Sequence, residues 1–530
     1  MKCRQTIELM TDLVLDARTA AIACQADSSL ARLVDEVRRH GGRLWLYAGE
    51  ITEIRRLLSP DSSLTNIHRK KNSDSVLKEF DDFAQGCCWL AALSADVEHT
   101  DDPDPMAVAL IKAAERINTD TLILSTEESR LKRGLPFVDE LSALSSISQS
   151  EIVFVDLKAQ QDRIRPQLEA GLHRVLHHGI YINGPEIAQL EYCLADYVGV
   201  QHCICVSSGT DALLIAMMAL GIKPGDEIIT TPFTFFATSE MIAMLGAVPV
   251  YVDIDPHTFN IDTSKIEAAF TDKTRAILPV SLYGQCSDMD VINEIAARYK
   301  VSVIEDGAQS FGATYKHQPS CSLSDIACTS FFPAKPLGAY GDAGACFTQD
   351  AALAQIMRQI RDHGQERRYQ SVRLGLNGRM DTIQAVVLLA KMEIFHDELE
   401  RRQKVAANYH TKLRPLENEG LLVLPRLESY NTSSWAQYTL RVANRDDVQT
   451  AMKTRGIPTA IHYPVPLFEQ PAYSDNNNKC PETLRAAREV ISLPIHPYLR
   501  FEEQQEIVVA LTESLRDGEE YMKQRNIVSK

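Results

Sequence analysis

Short apolar runs alternate with helical segments between residues 186 and 332, and this alternation constrains the fold most strongly. Residues 186–198 and 212–220 place apolar side chains at helical spacing, whereas 202–206 is a short apolar run. Further runs cover residues 227–230, 248–252, 276–280, 301–304 and 326–332. Runs rich in β-branched residues that alternate with helices are typical of a mostly parallel sheet covered on both faces. We therefore expect an α/β fold here.

A serine-rich stretch at residues 142–150 suggests a solvated linker between two unlike parts of the chain. We predict an N-terminal α/β domain over 1–141, a linker over 142–151, a large domain over 152–395 and a smaller C-terminal domain over 396–530. A long charged helix, predicted over 395–413, would open the C-terminal domain.

Charge and hydropathy exclude several classes of function. Lys and Arg total 55 against 71 Asp and Glu, a net charge of −16, which disfavours non-specific nucleic-acid binding. We find no apolar stretch of about 18 residues and no signal-peptide pattern, so we expect a cytoplasmic protein without a membrane span. The 12 cysteines are scattered along the chain, and we expect them to be reduced and buried.

A lysine, an aspartate and a helix start are placed where a phosphate-bearing cofactor would need them. Lys335 follows an apolar strand, and Asp306 ends another, at the edge where open α/β sheets bind ligands. Residues 207–210, Ser-Ser-Gly-Thr, stand between a strand and a helix, a position that suits a phosphate. Pyridoxal phosphate requires these three groups, because lysine forms a Schiff base and a carboxylate keeps the ring nitrogen protonated.

At these residues the chain resembles the DegT/DnrJ/EryC1/StrS sugar aminotransferases over about residues 152–515. This resemblance implies the fold-type-I arrangement of pyridoxal phosphate enzymes, with a large α/β/α domain and a small C-terminal α+β lobe. It rests on motifs that occur in the same order as in the family: Gly179-Ile-Tyr-Ile-Asn-Gly-Pro-Glu, Ser208-Gly-Thr-Asp-Ala-Leu, Thr231-Pro-Phe-Thr-Phe-Phe-Ala-Thr, Pro279-Val-Ser-Leu-Tyr-Gly-Gln, Glu305-Asp-Gly-Ala-Gln-Ser and Gly341-Asp-Ala-Gly-Ala.

The resemblance implies a role for each matching residue. Lys335 would hold the cofactor and act as the general base, and Asp306 would pair with the ring nitrogen. The remaining cofactor-binding positions would be Gly209, Thr210, Ser330, Gln309, Phe235 and Asn377. Of these, Asn377 would reach the phosphate of a neighbouring subunit, which implies a homodimer with shared active sites.

Retention of Lys335 favours transamination, because relatives that dehydrate sugars carry histidine in its place. The usual donor in the family is L-glutamate. Several segments, among them Ile461-His-Tyr-Pro-Val-Pro-Leu, resemble the subgroup that aminates UDP-3-keto-N-acetylglucosaminuronate for O-antigen or capsule sugars. Such a nucleotide-linked substrate carries a diphosphate and a carboxylate and should need cations. The candidates, with one neighbouring tyrosine, are Arg379, Arg367, Arg368, His363, His462 and Tyr463.

The first 140 residues lie outside that resemblance and are similar to a PIN-like nuclease domain. Strands predicted over 13–16, 43–47 and 121–128, with a helix that opens near 104, would supply four acids: Asp16, Glu53, Asp104 and Glu127. Carboxylates gathered in this way could bind Mg²⁺ or Mn²⁺. A degenerate PIN-like fold used for structure or interaction is the alternative. A bifunctional or regulatory protein, with a metal-dependent ribonuclease beside a ligand-sensing C-terminal part, is therefore a second hypothesis for the whole chain.

Overall fold

The computed structural model describes residues 12–15, 43–47, 88–90, 122–124, 137–138, 152–473 and 480–528. The chain divides into two compact units, Met1–Glu151 and Ile152–Lys530. The division falls at the end of the predicted linker. The finer domain limits remain a proposal.

The described part of the N-terminal unit is a parallel sheet. Its strands are β1 (Asp12–Leu15), β2 (Arg43–Tyr47), β3 (Cys88–Leu90), β4 (Leu122–Leu124) and β5 (Phe137–Val138), in the order β3-β2-β1-β4-β5. The predicted strands fall on β1, β2 and β4, whereas β3 and β5 were not predicted. The four proposed metal ligands, Asp16, Glu53, Asp104 and Glu127, lie outside the described residues, so the PIN-like and metal-binding assignments stay predictions.

The second unit is built on a seven-stranded sheet in the order β6-β14-β13-β10-β9-β7-β8. All neighbouring pairs are parallel except those made by β14, which runs antiparallel to both β13 and β6. The prediction of a mostly parallel sheet is therefore confirmed, although β14 was not predicted. The strands from β6 onward are β6 (His202–Val206), β7 (Glu227–Thr230), β8 (Val248–Tyr251), β9 (Thr274–Leu278), β10 (Ser302–Asp306), β11 (Thr314–Tyr315), β12 (Gln318–Pro319), β13 (Ile326–Ser330) and β14 (Gly344–Thr348).

Both faces of this sheet are buried. Along β6, Ile204 and Val206 join one apolar cluster, whereas Cys203 and Cys205 join the cluster on the other face, as the two-residue period of a strand requires. Side chains of the other strands and of the covering helices complete both clusters. The described helices around this sheet are α1 (Leu157–His178), α2 (Pro185–Val198), α3 (Gly209–Ala219), α4 (Ala237–Met244), α5 (Met289–Tyr299) and α6 (Ala351–Arg361).

Local sequence explains where these helices begin and end. Helix α2 begins with Pro185, whose missing N–H costs nothing in the first turn, and ends before Gly199, which adopts φ 79°. Helix α3 begins after Ser208, whose side chain accepts a hydrogen bond from the backbone N–H of Asp211 at 3.0 Å. The start of α3 is thereby fixed three residues after Val206, the last residue of β6.

A single 37-residue helix, α7 (Thr382–Asn418), links the large sheet to the C-terminal part. The charged helix predicted over 395–413 is its second half. The first half was not predicted because it is apolar and packs against the helices that cover the sheet. The proposed boundary at 395/396 therefore falls inside a continuous helix. The remaining elements are β15 (Gln365–Arg367), β16 (Gln370–Ser371), β17 (Tyr438–Arg441), α8 (Arg445–Thr454), α9 (Pro481–Glu489), β18 (Val490–Leu493) and α10 (Phe501–Val528).

The cysteines in the described part of the second unit are free, and all but Cys193 are buried, as predicted. None of the described helices combines the length and the apolar character needed to cross a membrane.

Candidate active site

The carboxyl ends of β6, β10 and β13 lie at one edge of the sheet, because these strands are parallel. Asp306 is the last residue of β10, and Ser330 is the last residue of β13. Lys335 follows β13 in a tight turn, in which its backbone N–H donates to the carbonyl of Phe332 at 2.8 Å. The sheet topology thus collects the residues predicted to bind a cofactor.

Asp306 is buried at this edge and both of its carboxylate oxygens accept hydrogen bonds. Oδ2 accepts from the Thr238 hydroxyl at 3.0 Å, and Oδ1 accepts from the backbone N–H of Ala308 at 3.2 Å. Burial raises the pKa of Asp306, while these two donors and the positive charge of Lys335 oppose the rise. A carboxylate held in this way can face a protonated ring nitrogen.

Lys335 is electrostatically coupled to Asp306. Burial lowers the pKa of the Lys335 ammonium, and the negative charge of Asp306 partly offsets that effect. A lowered pKa increases the fraction of neutral amine, which is the form that attacks a carbonyl carbon and accepts a proton. The structure therefore places a suitable nucleophile and base next to the carboxylate.

The amino end of α3 packs against the end of β13. A Cβ atom added to Gly209 would lie 2.6 Å from Cβ of Ser330, so a side chain at this position would force the two segments apart. Thr210 follows in the first turn of α3. Free backbone N–H groups and hydroxyls at a helix amino end suit a phosphate group. The structure thus brings together Gly209, Thr210 and Ser330, which were predicted as the phosphate-binding group.

Gln309 links the sheet edge to the C-terminal part. Its Nε2 donates to the Tyr463 hydroxyl at 3.1 Å, and its Oε1 accepts from the backbone N–H of Tyr283 at 2.8 Å. Burial, together with the charge of Asp306, raises the pKa of Tyr463. Tyr463 is therefore protonated and able to donate a hydrogen bond of its own, next to Asp306.

His462 is close to the same group but contributes no charge at neutral pH. Burial and the nearby Lys335 lower its pKa to about 4. Its Nδ1 lies 3.0 Å from the Ser492 hydroxyl, and its backbone carbonyl accepts from the Tyr283 hydroxyl. The prediction that His462 is one of the cations for an anionic substrate is therefore not supported, because this residue is a neutral hydrogen-bonding group.

Phe235 has the exposure expected of a residue that stacks on a ligand. Its side chain is 57% exposed, whereas Phe233, two residues earlier, is completely buried in the core. The Phe235 ring lies 6.3 Å from the ring of Tyr463. A ring open to solvent at this edge of the sheet is available for a planar cofactor.

The predicted substrate cations are less closely gathered. The backbone of Arg379 forms an isolated antiparallel β-bridge with Val206, the last residue of β6. Its guanidinium forms an ion pair with Asp362. Its Nε is buried and has no hydrogen-bond partner among the described residues. The other three predicted cations and the predicted phosphate ligand from a second subunit are exposed: His363, Arg367, Arg368 and Asn377.

Two contributors to the site were missed from the sequence. Thr238 was not predicted because it lies in the first turn of a mostly apolar helix, α4. Its spacing of four residues from Thr234 could have indicated that the two hydroxyls share a face. Tyr283 donates hydrogen bonds to Gln309 and to the backbone carbonyl of His462. Both Tyr283 and the next residue, Gly284, have positive φ angles, 57° and 110°. The only sequence signal for this residue was the pair Tyr283-Gly284 in the family motif that begins at Pro279.

Comparison with known proteins agrees with this geometry. A family model described as the DegT/DnrJ/EryC1/StrS aminotransferase family matches residues 162–512. The chain belongs to this family. The predicted resemblance, fold class, enzyme class and pyridoxal phosphate dependence are thereby confirmed. The N-terminal unit lies outside the matched residues.

Three relatives are informative about this family member. A Pseudomonas aeruginosa protein named UDP-2-acetamido-2-deoxy-3-oxo-D-glucuronate aminotransferase is 55% identical over 361 residues, covering 68% of this chain and 99% of its own. A Bacillus subtilis 3-oxo-glucose-6-phosphate:glutamate aminotransferase is 36% identical over 412 residues, covering 76% and 92%. The crystal structure of S. venezuelae DesV in complex with a ketimine intermediate has a TM-score of 0.67 and 36% identity, covering 69% and 98%.

Proposed function

We propose that this aminotransferase moves the amino group of L-glutamate to a UDP-linked 3-keto-N-acetylglucosaminuronate for surface polysaccharide biosynthesis. The reaction is supported by one observation above others: Asp306 ends β10 and Lys335 follows β13 at the same edge of the sheet, where both are buried and each charge acts on the pKa of the other. The sugar is supported by the printed name of the Pseudomonas aeruginosa relative. The donor is supported by the name of the Bacillus subtilis relative. We place the reaction in the cytoplasm.

The residues present fit pyridoxal phosphate. When bound, that group supplies an electron sink for the carbon that loses a proton. Lys335 would anchor it and, as a neutral amine, would move a proton between two carbons. Asp306 would keep the ring nitrogen protonated, and Gly209, Thr210 and Ser330 would hold the phosphate.

One polar residue and one aromatic ring would complete the cofactor site. Gln309 is directed by Tyr283 and Tyr463 so that its amide can approach the ring hydroxyl. Phe235 would cover one face of the ring and limit the access of water. Exclusion of water strengthens the interaction between Asp306 and the ring nitrogen.

A homodimer is part of the proposal. Large apolar side chains are exposed near the predicted substrate cations; Tyr369 and Leu374 are each 87% exposed. Exposed apolar side chains grouped on one surface indicate a protein–protein contact. Asn377 lies in the same exposed region, which is consistent with a contribution to the site of a second subunit.

Mixing two inactive variants tests the shared site. Lys335→Ala and Asn377→Ala are each expected to be inactive or weak alone. If Asn377 acts across the dimer, a hybrid contains one site with both native residues, and activity returns to at most half of the wild-type value. If mixing under subunit-exchange conditions restores nothing, Asn377 does not act in trans.

The substrate is tested with a panel of UDP- and dTDP-linked keto sugars and glutamate, following release of 2-oxoglutarate. We expect the 3-keto uronate to give the highest kcat/KM, and the analogue without a carboxylate to give less. Lys335→Ala is the control for uncatalysed exchange. Turnover of glutamate without amination of any nucleotide-linked sugar would contradict the substrate assignment.

A further inference from the structure

Two buried hydroxyl groups form a hydrogen-bonded chain that ends at Asp306. Thr238, 1% exposed, donates from its hydroxyl to Asp306 Oδ2 at 3.0 Å. The Thr234 hydroxyl, also buried, lies 3.3 Å from that of Thr238. We propose that Thr238, supported by Thr234, is a positioning residue that orients the Asp306 carboxylate and keeps it charged opposite the cofactor nitrogen. This inference rests on the proposed function.

The direction of the two hydrogen bonds follows from the donor and acceptor inventory. An ionised carboxylate only accepts, so Thr238 must donate its one hydroxyl hydrogen to Asp306. With that hydrogen committed, the bond between the two threonines must run from Thr234 to Thr238. Hydrogen bonds in such a chain polarise one another, which strengthens the bond to the carboxylate.

The turn that opens α4 supplies this pair and also supplies Phe235. The backbone N–H of Thr238 donates to the carbonyl of Phe235 at 3.2 Å. The same turn therefore presents the Phe235 ring outward and the Thr238 hydroxyl inward. One backbone turn therefore links the proposed ring-stacking residue, Phe235, to the residue that bonds Asp306.

Orientation of Asp306 needs both of its bonds. The N–H of Ala308 holds Oδ1, and the Thr238 hydroxyl holds Oδ2. Each oxygen retains a free lone pair for a further donor. Loss of the Thr238 hydroxyl would leave one oxygen without this partner, and the carboxylate could then rotate about its Cβ–Cγ bond.

The hydroxyl also acts on the charge of Asp306. Burial raises the pKa of this carboxyl, and the Thr238 hydroxyl is one of the groups that lower it. Removing the hydroxyl should raise the pKa further, so that Asp306 is neutralised at a higher pH. The titratable groups that interact with Asp306 are Lys335, Tyr463, Glu305, Cys321 and Cys328.

The experiment compares holoenzymes of four variants, Thr238→Val, Thr238→Ser, Thr234→Val and Thr348→Val. Valine removes a hydroxyl at nearly constant shape, and serine restores it. Thr348 is the matched control because it is buried and donates one hydrogen bond, to the Asp325 carbonyl at 2.7 Å, on strand β14. Cofactor affinity, thermal stability, and kcat and KM for the glutamate half-reaction are measured across pH.

We expect Thr238→Val to bind pyridoxal phosphate, to lower kcat by about tenfold or more, and to leave KM for glutamate nearly unchanged. The acid limb of its kcat profile should move to higher pH. Thr238→Ser should recover most of the loss, Thr234→Val should show a smaller effect in the same direction, and Thr348→Val should resemble the wild type. Wild-type kcat and pH profile in Thr238→Val would overturn the proposal, as would equal losses in Thr348→Val.

A cofactor analogue separates positioning from packing. With a pyridoxal phosphate analogue that has carbon in place of the ring nitrogen, the difference in kcat between Thr238→Val and wild type should disappear. If the difference persists, Thr238 does not act through Asp306. Should the valine variant fail to fold, Thr238→Ala removes the same hydroxyl, and the same comparison applies. Failure of wild-type protein to bind pyridoxal phosphate would instead reject the proposed function.

Discussion

Gly209 and Ser330 approach so closely that a Cβ atom on the glycine would lie 2.6 Å from Cβ of the serine. The contact joins the amino end of α3 to the end of β13, the two segments proposed to hold the cofactor phosphate. Overpacking of a tight contact costs about 1–3 kcal/mol.

We therefore predict that Gly209→Ala weakens pyridoxal phosphate binding by about tenfold or more. Cofactor titration of the apoenzyme measures this. Gly420→Ala is the control, because Gly420 has φ 76° and open space around it, so alanine there adds backbone strain without touching the site. Equal cofactor affinity in Gly209→Ala and wild type would show that the phosphate lies elsewhere.

Tyr463→Phe removes the hydroxyl that accepts from Gln309 Nε2 at 3.1 Å. Because Gln309 would then be held only through Oε1, we predict that kcat/KM falls by about threefold to tenfold. Steady-state kinetics with glutamate measures the loss. The matched control is Tyr299→Phe, because Tyr299 stacks on Phe270 at 3.9 Å, away from the sheet edge. An unchanged kcat/KM would show that the Tyr463 hydroxyl does not contribute to the active site.

Arg379 can be either a ligand for the substrate anion or simply the partner of Asp362. Because its Nε has no hydrogen-bond partner among the described residues, we predict a ligand role. Arg379→Met should then raise KM for the nucleotide sugar by tenfold or more, roughly the effect of losing a charged hydrogen bond, without raising KM for glutamate. Asp362→Asn breaks the same ion pair and retains the arginine. If both variants change KM equally, the pair is structural.

Lys391 is a buried cation that the proposed mechanism does not use. It is 0% exposed, and its Nζ lies 4.3 Å from the centre of the Tyr340 ring. Burial lowers its pKa to about 8, although Glu398 opposes this. Because the unfolded chain binds the Lys391 proton more tightly than the folded chain, burial of this ammonium lowers the free energy of unfolding. This loss of stability is largest below pH 8 and disappears as the pH rises towards the unfolded pKa of about 10.5.

The contribution of Lys391 to the free energy of unfolding should rise by up to about 3 kcal/mol between pH 7.5 and 10, so we predict that the free energy of unfolding of the wild type rises by this amount relative to that of Lys391→Met. Urea unfolding at several pH values measures it. The control is Lys412→Met, which removes a lysine from the same helix; its Nζ lies 5.2 Å from the Phe501 ring. A profile in Lys391→Met as steep as that of wild type would contradict the lowered pKa.

The sequence was sufficient for residues whose position follows from strand ends. Asp306 and Ser330 end apolar runs, and parallel strands carry such ends to one edge, so their meeting could be predicted. Strand β14 was missed because its glycine and alanine content weakens the β signal, and because an antiparallel strand inside a parallel sheet has no pattern of its own.

Contacts that depend on side-chain direction could not be predicted. Nothing in the segment around Thr238 indicates that its hydroxyl faces β10 and not the solvent. The pairing of Arg379 with Asp362 depends on backbone bridges that bring residues 362 and 377 together. The neutral state of His462 follows from burial, which a short motif of mixed polarity does not reveal.

The central claim is that Lys335 holds pyridoxal phosphate opposite Asp306. Borohydride reduction of the holoenzyme, followed by peptide mapping, tests it most directly, because reduction makes the link between lysine and cofactor permanent. The account predicts one modified peptide, containing Lys335, and no modified peptide in Lys335→Ala. Attachment to another lysine, such as Lys391, or the absence of any modified peptide from cofactor-saturated wild-type protein, would contradict it.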